Sequence, residues 1–413
     1  MNILYIEHYA GTPALGMEHR PYYLSKHWTE KGHSVRILAS SYSHYRAKQP
    51  LIDKNGSLYE KEIINGIEYN WFKTPSYTGN GIGRVINIFT FLCKVLLKSR
   101  HIACDFSPDI VIASSTYPLD IYVAHHIARQ SKARLIFELH DLWPLSPIEI
   151  GGLSPRHPFM MLCQLAENFA YKHADAVVSI LPKVHDHVEA HGLDIKKLHI
   201  IPNGIEINEW LNNTEKLPDN ITRKITSWSH GRMLVCYAGQ HGPANALDHF
   251  IEAALLLPDI CCVLVGQGPE KDRLQKLASD AENILFLDPI PKTSIPSLLS
   301  LMDVLYIGWK NTPLYRFGIS PNKLIDYMMS GKPIIHAVNA GNDEVAEAKC
   351  GISILPEDSI LLKEALSTLR SLSPEQRAEM GMRGHAYALA HHDYAILSDM
   401  FLTIMTELDN KKI

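Results

Sequence analysis

The chain has 413 residues, of which 46% are hydrophobic and 20% are charged, and its formal net charge is −4. This is the composition of a folded protein of two or three domains, and it excludes disordered, collagen-like and coiled-coil chains. The slight negative charge disfavours nucleic-acid binding, because proteins of that class are usually basic.

Cysteine usage and the first residues bear on the compartment. The seven cysteines are scattered and include no Cys-x-x-Cys pair, which is typical of free thiols in a reducing compartment. The first residues form a strand pattern without the charged start, apolar run and cleavage site of a secretory signal. The longest apolar stretch is shorter than the roughly 20 residues of a membrane-spanning helix. We therefore expect a cytoplasmic protein without a transmembrane helix.

Short β-branched apolar runs alternate with helical patterns along the first half of the chain. These runs cover residues 2–7, 34–39, 109–114, 134–139, 176–181 and 198–201, and the first helix is predicted from about Arg20 to Lys31. Residues 206–231 are polar and show no period, so we interpret them as a linker or an entry segment.

The alternation then restarts in the second half of the chain. Its runs cover residues 232–238, 260–265, 284–287, 304–308, 333–337 and 351–355, and the chain from Pro374 onward is predicted to be helical. This pattern predicts an α/β protein with two doubly wound, Rossmann-like units, each built on a parallel sheet, which face a cleft. The units predicted are residues 1–205 and 206–390, followed by a last helix at 391–413.

Loops after strands should carry the chemistry, because ligands of doubly wound sheets bind beyond the carboxyl ends of the strands. Residues 11–20 contain two glycines that allow a ligand to approach the backbone. The loop lacks a GxGxxG motif, and no acidic residue ends the second strand, so a nicotinamide cofactor is not expected. A second loop, residues 140–144 with sequence HDLWP, directs His140 toward the cleft. The alternative for His140 is a role in capping that loop.

The sequence GISPNKLIDYMMSGKP at residues 318–333 predicts a helix that ends at Gly331. Ser320 or Asn322 is expected to cap its N-terminus, with Pro321 in the first turn. Free N–H groups there, together with nearby Arg and Lys side chains, favour a phosphate. Asp326 lies one turn further along, where it can accept hydrogen bonds from sugar hydroxyls. The alternative is a capped surface helix with a solvated Asp326.

The run FGISPNKLIDYMMSGKPII resembles the C-terminal motif of glycosyltransferase family 4, whose members are retaining enzymes of the GT-B fold that use nucleotide sugars. Four further segments are similar to landmarks of that family: PNGI at 202–205, YAG at 237–239, VGQGPE at 265–270 and FLDPIPK at 286–292. GISPNK and HDLWP are most similar to transferases of bacterial surface-polysaccharide assembly, including N-acetyl-fucosaminyl transferases. The resemblance also implies that the last helix packs back on the first domain.

The resemblance implies an acceptor site in the first domain and a nucleotide-sugar site in the second. The residues expected to act in catalysis are His140 and Asp141. Those expected to bind the donor are Gly239, His241, Gly266, Pro291, Lys292, Arg316, Ser320, Asn322, Lys323 and Asp326. Those expected to bind the acceptor are Gly16, His19, Arg20 and Trp143. The sequence departs from the family at Gly318, where the first of two Glu residues is usual, and at Gln240 and Asn245, which replace the usual Arg and Lys. Lys323, Arg316 or Lys292 must then neutralise the diphosphate.

The predicted activity is retaining transfer of a hexose or N-acetylhexosamine-type sugar from a nucleoside diphosphate sugar, with UDP favoured. The predicted acceptor is a lipid-linked saccharide of O-antigen or capsule biosynthesis. No protein nucleophile, metal or other cofactor is expected, and none of the 22 histidines shows a metal-ligand spacing. The alternatives are a nucleotide-sugar epimerase or hydrolase on the same fold, and a non-catalytic nucleotide-sugar-binding partner.

A basic, aromatic segment indicates a further partner. Residues 69–104 contain no acidic residue and five Lys or Arg, and they include an apolar helix at 82–97. Basic residues beside an apolar helix favour an anionic membrane surface. Segment 71–101 is therefore predicted to bind the inner face of the bacterial plasma membrane, and the alternative is a helix buried on two sides.

Overall fold

The computed structural model describes residues 1–44, 46–52, 56–79, 81–212 and 214–410. Residue 80 of the predicted membrane segment and residues 411–413 of the predicted last helix lie outside the described residues. The chain forms two compact units, of which unit 1 comprises Met1–Asn203 with Tyr394–Ile413 and unit 2 comprises Gly204–Asp393.

Helices and strands alternate in both units. The described strands are β1 (Asn2–Ile6), β2 (Ser34–Ser40), β3 (Tyr59–Ile64), β4 (Ile67–Phe72), β5 (Ile110–Ala113), β6 (Arg134–Leu139), β7 (Ala176–Ser179), β8 (Leu198–Ile200), β9 (Met233–Ala238), β10 (Ile260–Val265), β11 (Ile284–Leu287), β12 (Val304–Gly308), β13 (Ile334–Ala337) and β14 (Gly351–Ile354). The described α-helices are α1 (Arg20–Glu30), α2 (Ile82–Phe106), α3 (Asp120–Ser131), α4 (Leu145–Glu149), α5 (Pro158–His173), α6 (His185–Ala190), α7 (Ile207–Asn212), α8 (Asp219–Ser229), α9 (Leu247–Leu255), α10 (Lys271–Leu277), α11 (Ile295–Ser300), α12 (Asn322–Met329), α13 (Glu344–Ala348), α14 (Ser359–Ser371), α15 (Pro374–His391) and α16 (Tyr394–Asn410).

The sheet of unit 1 has the strand order β3-β4-β2-β1-β5-β6-β7-β8. Its strands are parallel except for β3, which pairs antiparallel with β4. The apolar runs do not predict this hairpin, because β3 carries alternating charges. Its turn, Asn65-Gly66, has positive φ angles of 49° and 82°. An Asn-Gly pair between two strands is the local signal for such a turn.

The sheet of unit 2 has the order β11-β10-β9-β12-β13-β14 and is parallel throughout. This is the doubly wound order in which the direction of winding reverses between the first and fourth strands, here β9 and β12. The linker prediction for residues 206–231 is wrong, because the segment contains α7 and α8. Ile225 of α8 is fully buried in the core of unit 2, and Ile221 packs beside it. Two apolar residues four apart are a helical spacing that the polar majority of the segment obscures.

The last helix, α16, belongs to unit 1 and packs on α1. Trp28 Nε1 donates a hydrogen bond of 3.1 Å to the Ser398 carbonyl, and the Trp28 ring lies 5.3 Å from that of Phe401. The rings of Tyr23 and Tyr394 are stacked at 5.0 Å. Aromatic contacts of this kind add to the apolar area that they bury, so α16 completes the core of unit 1.

Candidate functional site

The predicted donor-binding residues lie in the segments that follow the strands of unit 2. They are, in chain order, Gly239 and His241 after β9, Gly266 after β10, Pro291 and Lys292 after β11, and Arg316, Ser320, Asn322, Lys323 and Asp326 between β12 and β13. Since β9 and β12 mark the reversal of strand order, this is the edge at which such a sheet binds ligands.

Glycine is required where two of these loops meet. Gly239 and Gly266 have φ angles of 153° and 146°. A Cβ on Gly266 would lie 1.9 Å from the Gly239 carbonyl oxygen, and a Cβ on Gly239 would lie 2.6 Å from Cε of Lys323. Backbone therefore packs directly on backbone, and the lysine passes over a surface without a side chain.

Lys323 is held in place by the helix that carries it. One turn further along α12, the Tyr327 hydroxyl accepts a hydrogen bond of 2.7 Å from the Ala238 N–H at the end of β9. Lys323 Nζ lies 2.7 Å from the Tyr237 hydroxyl and 4.0 Å from the centre of that ring. Its second recorded contact, with Asn245 Oδ1, is 3.5 Å long. Burial lowers the pKa of Lys323 to about 7, so an anion nearby would favour its charged form.

The N-terminus of α12 differs from the prediction. The helix begins at Asn322 with Pro321 as N-cap, and within the described residues no side chain caps it. The segment before it is fixed instead by Asn342, whose Oδ1 accepts from the Ile319 N–H at 2.8 Å and whose Nδ2 donates to the Ile319 carbonyl at 3.0 Å. Ser320 therefore does not cap this helix. The Leu324 N–H donates to the Pro321 carbonyl at 3.0 Å, whereas the N–H groups of Asn322 and Lys323 have no recorded acceptor among the described residues and can bind an anion.

Asp326 lies one turn inside α12. Burial raises the pKa of its carboxyl group, and the positive charge of Lys292 opposes that shift. No hydrogen bond to the Asp326 carboxylate is recorded in the described part of the chain. Lys292 and Pro291 are exposed at the start of a short 3-10 helix. This arrangement leaves Asp326 able to accept hydrogen bonds from a polyhydroxy ligand.

His241 is fully buried, and neither of its ring nitrogens has a hydrogen-bond partner among the described residues. Burial and the charges of Lys271 and Lys323 lower its pKa to about 4. The imidazole is therefore neutral at pH 7, with one donor and one acceptor unused.

Arg316 is exposed and occupies a different position from Lys323. Its Nη1 donates to the Pro313 carbonyl at 2.6 Å, and its guanidinium lies 4.2 Å from the centre of the Phe317 ring. With Asn311 and Asn339 it lines a cavity of about 520 Å³. A role for Arg316 in neutralising the diphosphate stays a prediction.

The departures from the family pattern have a structural basis. Gly318, at the position of the first family Glu, has a φ of 91° and is buried, a conformation that disfavours a longer side chain. Gln240 is exposed, and its carbonyl accepts hydrogen bonds from the Tyr237 hydroxyl and from Asn245 Nδ2. Neither Gln240 nor Asn245 supplies a cation.

In unit 1, His140 follows β6 and contacts a fully buried carboxylate. Its Nε2 lies 2.8 Å from Ser114 Oγ and 3.3 Å from Glu138 Oε2. Glu138 also accepts hydrogen bonds from Ser114 Oγ at 2.6 Å, from Arg20 Nε at 2.8 Å and from the Tyr5 hydroxyl. Burial alone would raise the pKa of Glu138, but the Arg20 and His140 charges and these hydrogen bonds hold it well below its usual range.

These contacts fix the tautomer of His140. Because Ser114 Oγ donates to Glu138, it accepts from His140, which places the proton of the neutral imidazole on Nε2. The Nδ1 lone pair is then left to accept a proton or a hydrogen bond from a ligand.

Two of the predicted site residues have internal roles instead. All three side-chain nitrogens of Arg20 are used: Nε by Glu138, Nη1 by the Pro202 carbonyl at 2.5 Å and Nη2 by the Ile201 carbonyl at 3.0 Å. The side chain is 2% exposed. Arg20 therefore ties α1 to the end of β8 and orients Glu138, and we withdraw it from the acceptor-binding set.

Asp141, predicted as catalytic, organises its own loop. Its Oδ1 accepts from the Leu142 N–H at 2.8 Å and from the Ser146 hydroxyl, and its Oδ2 accepts from Trp143 Nε1 at 3.2 Å. Burial raises the pKa of this carboxyl group, while these hydrogen bonds oppose the shift. Since both oxygens are occupied, we reassign Asp141 to positioning His140 and Trp143.

The remaining predicted acceptor residues lie in loops of unit 1. Gly16 has a φ of 104°, and a Cβ there would lie 2.8 Å from the Ala47 amide nitrogen. The same residue forms an isolated bridge with Arg46. His19 is the N-cap residue of α1, and Trp143 lies in the His140 loop.

Sequence reasoning misses Glu138, Ser114 and Glu18. Burial raises the pKa of Glu18, and the charges of His140 and Arg20 oppose that shift, which places Glu18 within electrostatic reach of His140. One local signal exists: a Glu inside the apolar strand run RLIFEL predicts a buried charge with a partner.

Within the described part of the chain, the structure brings together one group of possible metal ligands. Glu167, His187 and His191 have ligand atoms within 4.8 Å of one another. The Glu167 oxygens are already hydrogen-bonded to His187 Nε2, the Tyr171 hydroxyl and Gln164. These contacts satisfy the carboxylate, and the absence of a bound metal stays a prediction.

Comparisons with known proteins match both units. A model described as Glycosyltransferase Family 4 matches residues 15–209, and one described as Glycosyl transferases group 1 matches residues 219–386. A GDP-mannose-dependent α-(1-6)-phosphatidylinositol monomannoside mannosyltransferase of Mycolicibacterium smegmatis is 25% identical over 205 residues. That match covers 46% of this chain and 52% of the relative, so it spans about half the length of the curated protein.

Solved structures are similar over nearly the whole chain. Sucrose-phosphate synthase of Thermosynechococcus elongatus has a TM-score of 0.74 at 16% identity, with 99% of both chains covered. Anabaena HepE, solved with UDP-glucose, has a TM-score of 0.67 at 16% identity, with 98% of this chain and 99% of that chain covered. Likeness at this identity shows the fold, which is the predicted GT-B fold.

Two doubly wound units, each matched by a glycosyltransferase family model, define a glycosyltransferase of the GT-B type. The chain belongs to glycosyltransferase family 4. The finer resemblance to N-acetyl-fucosaminyl transferases stays a prediction.

Proposed function

We propose that this protein transfers a hexose or N-acetylhexosamine-type sugar, with retention, from a UDP-sugar to a lipid-linked saccharide in bacterial surface-polysaccharide biosynthesis. The observation that carries the donor half is the placement of Lys323 over Gly239 at the uncapped N-terminus of α12, with Asp326 one turn further along. Lys323 and the N-terminus of α12 can bind a diphosphate, and the Asp326 carboxylate can accept hydrogen bonds from ribose hydroxyls.

The donor half supplies the main catalytic requirement, which is to stabilise charge on the departing diphosphate. The Lys323 ammonium and the first-turn N–H groups of α12 are fixed before the reaction begins, so little reorganisation is needed as charge develops. We propose that these groups neutralise the diphosphate without a metal ion. UDP is favoured over GDP because HepE was solved with UDP-glucose, although the curated relative is GDP-mannose-dependent.

In the reaction half, His140 positions the transferred sugar through Nδ1, because Nε2 is held by Ser114 and Glu138. Retention without a protein nucleophile follows if the acceptor hydroxyl attacks from the leaving-group face. The departing phosphate oxygen then accepts the hydroxyl proton.

The lipid-linked acceptor has two supports. The curated relative acts, by its name, on a phosphatidylinositol mannoside, and the GISPNK and HDLWP segments resemble those of surface-polysaccharide transferases. Within the described residues, no helix is both long and apolar enough to cross a bilayer.

Helix α2 supports binding at the inner membrane face. Its exposed side carries a stripe of large apolar residues: Ile82, Ile86, Phe89, Leu96 and Leu97. The sequence also predicts Arg84 at the membrane, but Arg84 is only 7% exposed and points inward. Lys94 donates to the Lys73 carbonyl at 2.6 Å, and Lys98, also predicted at the membrane, is partly buried, so Arg100 is the exposed Lys or Arg residue of α2. An apolar stripe with flanking charge is suited to an anionic leaflet.

A transfer assay tests the proposal. A panel of UDP- and GDP-sugars is incubated with lipid-linked saccharide acceptors in the presence of EDTA, and the product linkage is determined by NMR. Transfer from a UDP-sugar with the donor's anomeric configuration retained is expected. Inversion, or a strict requirement for GDP-sugars, would contradict it. Donor alone serves as the control, since fast turnover without acceptor would instead indicate an epimerase or hydrolase.

A further inference from the structure

Arg46 carries a buried guanidinium that the protein leaves largely unpartnered. The residue is 5% exposed, and its one recorded hydrogen bond runs from Nη2 to the Ser40 carbonyl. Among the described residues, its Nε and Nη1 have no hydrogen-bond partner and no carboxylate forms an ion pair with it. The guanidinium lies 5.1 Å from the centre of the Trp71 ring. Buried charges are normally paired, so two unused donors here point to a ligand.

Arg84 brings a second guanidinium into the same region. It is 7% exposed, its Nε donates to the Tyr9 hydroxyl at 3.1 Å, and it lies 5.6 Å from the centre of the Trp143 ring. Burial lowers the pKa of His8 well below its ordinary value, and the positive charges of Arg46 and Arg84 lower it further. Both guanidinium groups therefore lie within electrostatic reach of His8. Tyr9 follows β1 and Arg46 follows β2, which places the two arginines at the ligand-binding edge of the sheet.

Among the described residues, the titratable groups that act on Arg46 form no ion pair with it. Burial and the Arg84 charge lower the pKa of His44 to about 4, so this imidazole is neutral at pH 7. Burial lowers the pKa of Arg46 to about 10, which leaves it charged at pH 7, and the Tyr69, Tyr77 and Glu7 charges oppose the shift. Glu7 accepts from the Tyr9 N–H at 2.9 Å, and burial raises the pKa of its carboxyl group.

We propose that Arg46 and Arg84 form an anion subsite in unit 1 that binds a phosphate or diphosphate group of the acceptor. Guanidinium groups bind phosphate oxygens in pairs, and the surrounding aromatic rings exclude water and strengthen the attraction. The proposal rests on the proposed function, which assigns the acceptor to unit 1.

The subsite also orients the acceptor. The charges of Asp120 and Glu138, which are both fully buried, act on His140, and Glu138 is paired with Arg20. Among the described residues, Asp120 Oδ1 has no hydrogen-bond partner. A free carboxylate oxygen accepts a hydrogen bond from a hydroxyl group, whereas an ionised phosphate has no proton to donate to it. The acceptor therefore enters with its phosphate toward Arg46 and its attacking hydroxyl toward His140.

The test uses inorganic pyrophosphate as the probe and calorimetry on the full chain. Lys323→Ala provides the background, because pyrophosphate is also expected to bind at Lys323. Pyrophosphate should still bind this variant, and Arg46→Gln added to it should weaken binding about tenfold or more. The matched control is Arg156→Gln, which removes an exposed arginine of unit 1 and should change nothing. If the Gln variant does not fold, Arg46→Lys takes its place in the test. This variant keeps the charge with fewer hydrogen-bond donors, so it should lose part of the pyrophosphate affinity.

Absence of pyrophosphate binding to Lys323→Ala, or binding unaffected by both Arg46 variants, would overturn the subsite. UDP affinity is measured in parallel on Arg46→Gln alone and should equal that of the unaltered chain. Failure of UDP to bind the unaltered chain would count against the proposed function and leave the pyrophosphate result standing. A competition experiment identifies the source of the phosphate group. If the protein also binds the lipid, a lipid-linked diphosphate glycoside in detergent displaces pyrophosphate more effectively than a soluble glycosyl phosphate does.

Discussion

Nucleotide binding is expected to protonate Lys323. Burial lowers the pKa of this ammonium group to about 7, so about nine-tenths of the empty protein carries a neutral Lys323 at pH 8. A bound diphosphate stabilises the charged form, which raises the pKa. Binding of UDP at pH 8 should therefore take up about 0.9 proton. The terminal phosphate of UDP, with a pKa near 6, is already ionised at this pH and releases no proton.

The same linkage gives the pH dependence of affinity. One pKa unit corresponds to about 1.36 kcal/mol, so the Lys323 contribution should make UDP affinity fall about tenfold for each pH unit above 7. Below pH 6 Lys323 is already charged, and its contribution to affinity should be nearly constant. Titration calorimetry in buffers of different ionisation enthalpy measures the uptake directly. Lys323→Met should bind more weakly and without proton uptake, whereas the exposed Lys276→Met should behave as the unaltered chain. Equal uptake by the unaltered chain and Lys323→Met would refute the reasoning.

Three further outcomes are expected. Asp326→Asn should weaken UDP and UDP-sugar alike, about tenfold or more by calorimetry, because both contain the ribose; a loss confined to the UDP-sugar would place Asp326 against the transferred sugar. His140→Ala should lower kcat by about 10²-fold or more with UDP affinity nearly unchanged, and equal losses in both would show that His140 is misplaced. Anionic vesicles should bind the unaltered chain in a salt-sensitive manner and bind Phe89→Ser with Leu97→Ser more weakly, at unchanged UDP affinity; no binding even at low salt would remove the membrane assignment.

Most strands were predictable because a buried parallel strand is usually a continuous apolar run, as in residues 260–265. The pattern misses elements that polar residues interrupt, and the buried strand β4 is one, because Glu68 and Asn70 lie within it. The exposed strand β3 has a charge at three consecutive positions, Glu60, Lys61 and Glu62, and the helix α8 shows its apolar face only through widely spaced residues such as Ile221 and Ile225.

The donor-binding residues could be predicted because they lie close together in the sequence. Asn322, Lys323 and Asp326 lie within one short segment, so their relative positions follow from helical spacing alone. In unit 1, by contrast, Arg20 and Glu138 are 118 residues apart in sequence, and no local pattern indicates that they meet. The sequence therefore predicted ligand contacts for Arg20 and Asp141, although both side chains form their hydrogen bonds with other groups of the protein.

The return of the chain to unit 1 at Tyr394 has a consequence for the order of folding during synthesis. Unit 2 is one uninterrupted segment, and its two ends are joined by a hydrogen bond of 2.7 Å from the Ile205 N–H to the His392 carbonyl. All of its residues therefore leave the ribosome before α16 does. Until then, Trp28 of α1 lacks the Ser398 and Phe401 contacts that cover it. Although unit 1 is made first, its aromatic surface therefore stays open until α16 has emerged, so unit 1 completes its core only after the residues of unit 2 have been made.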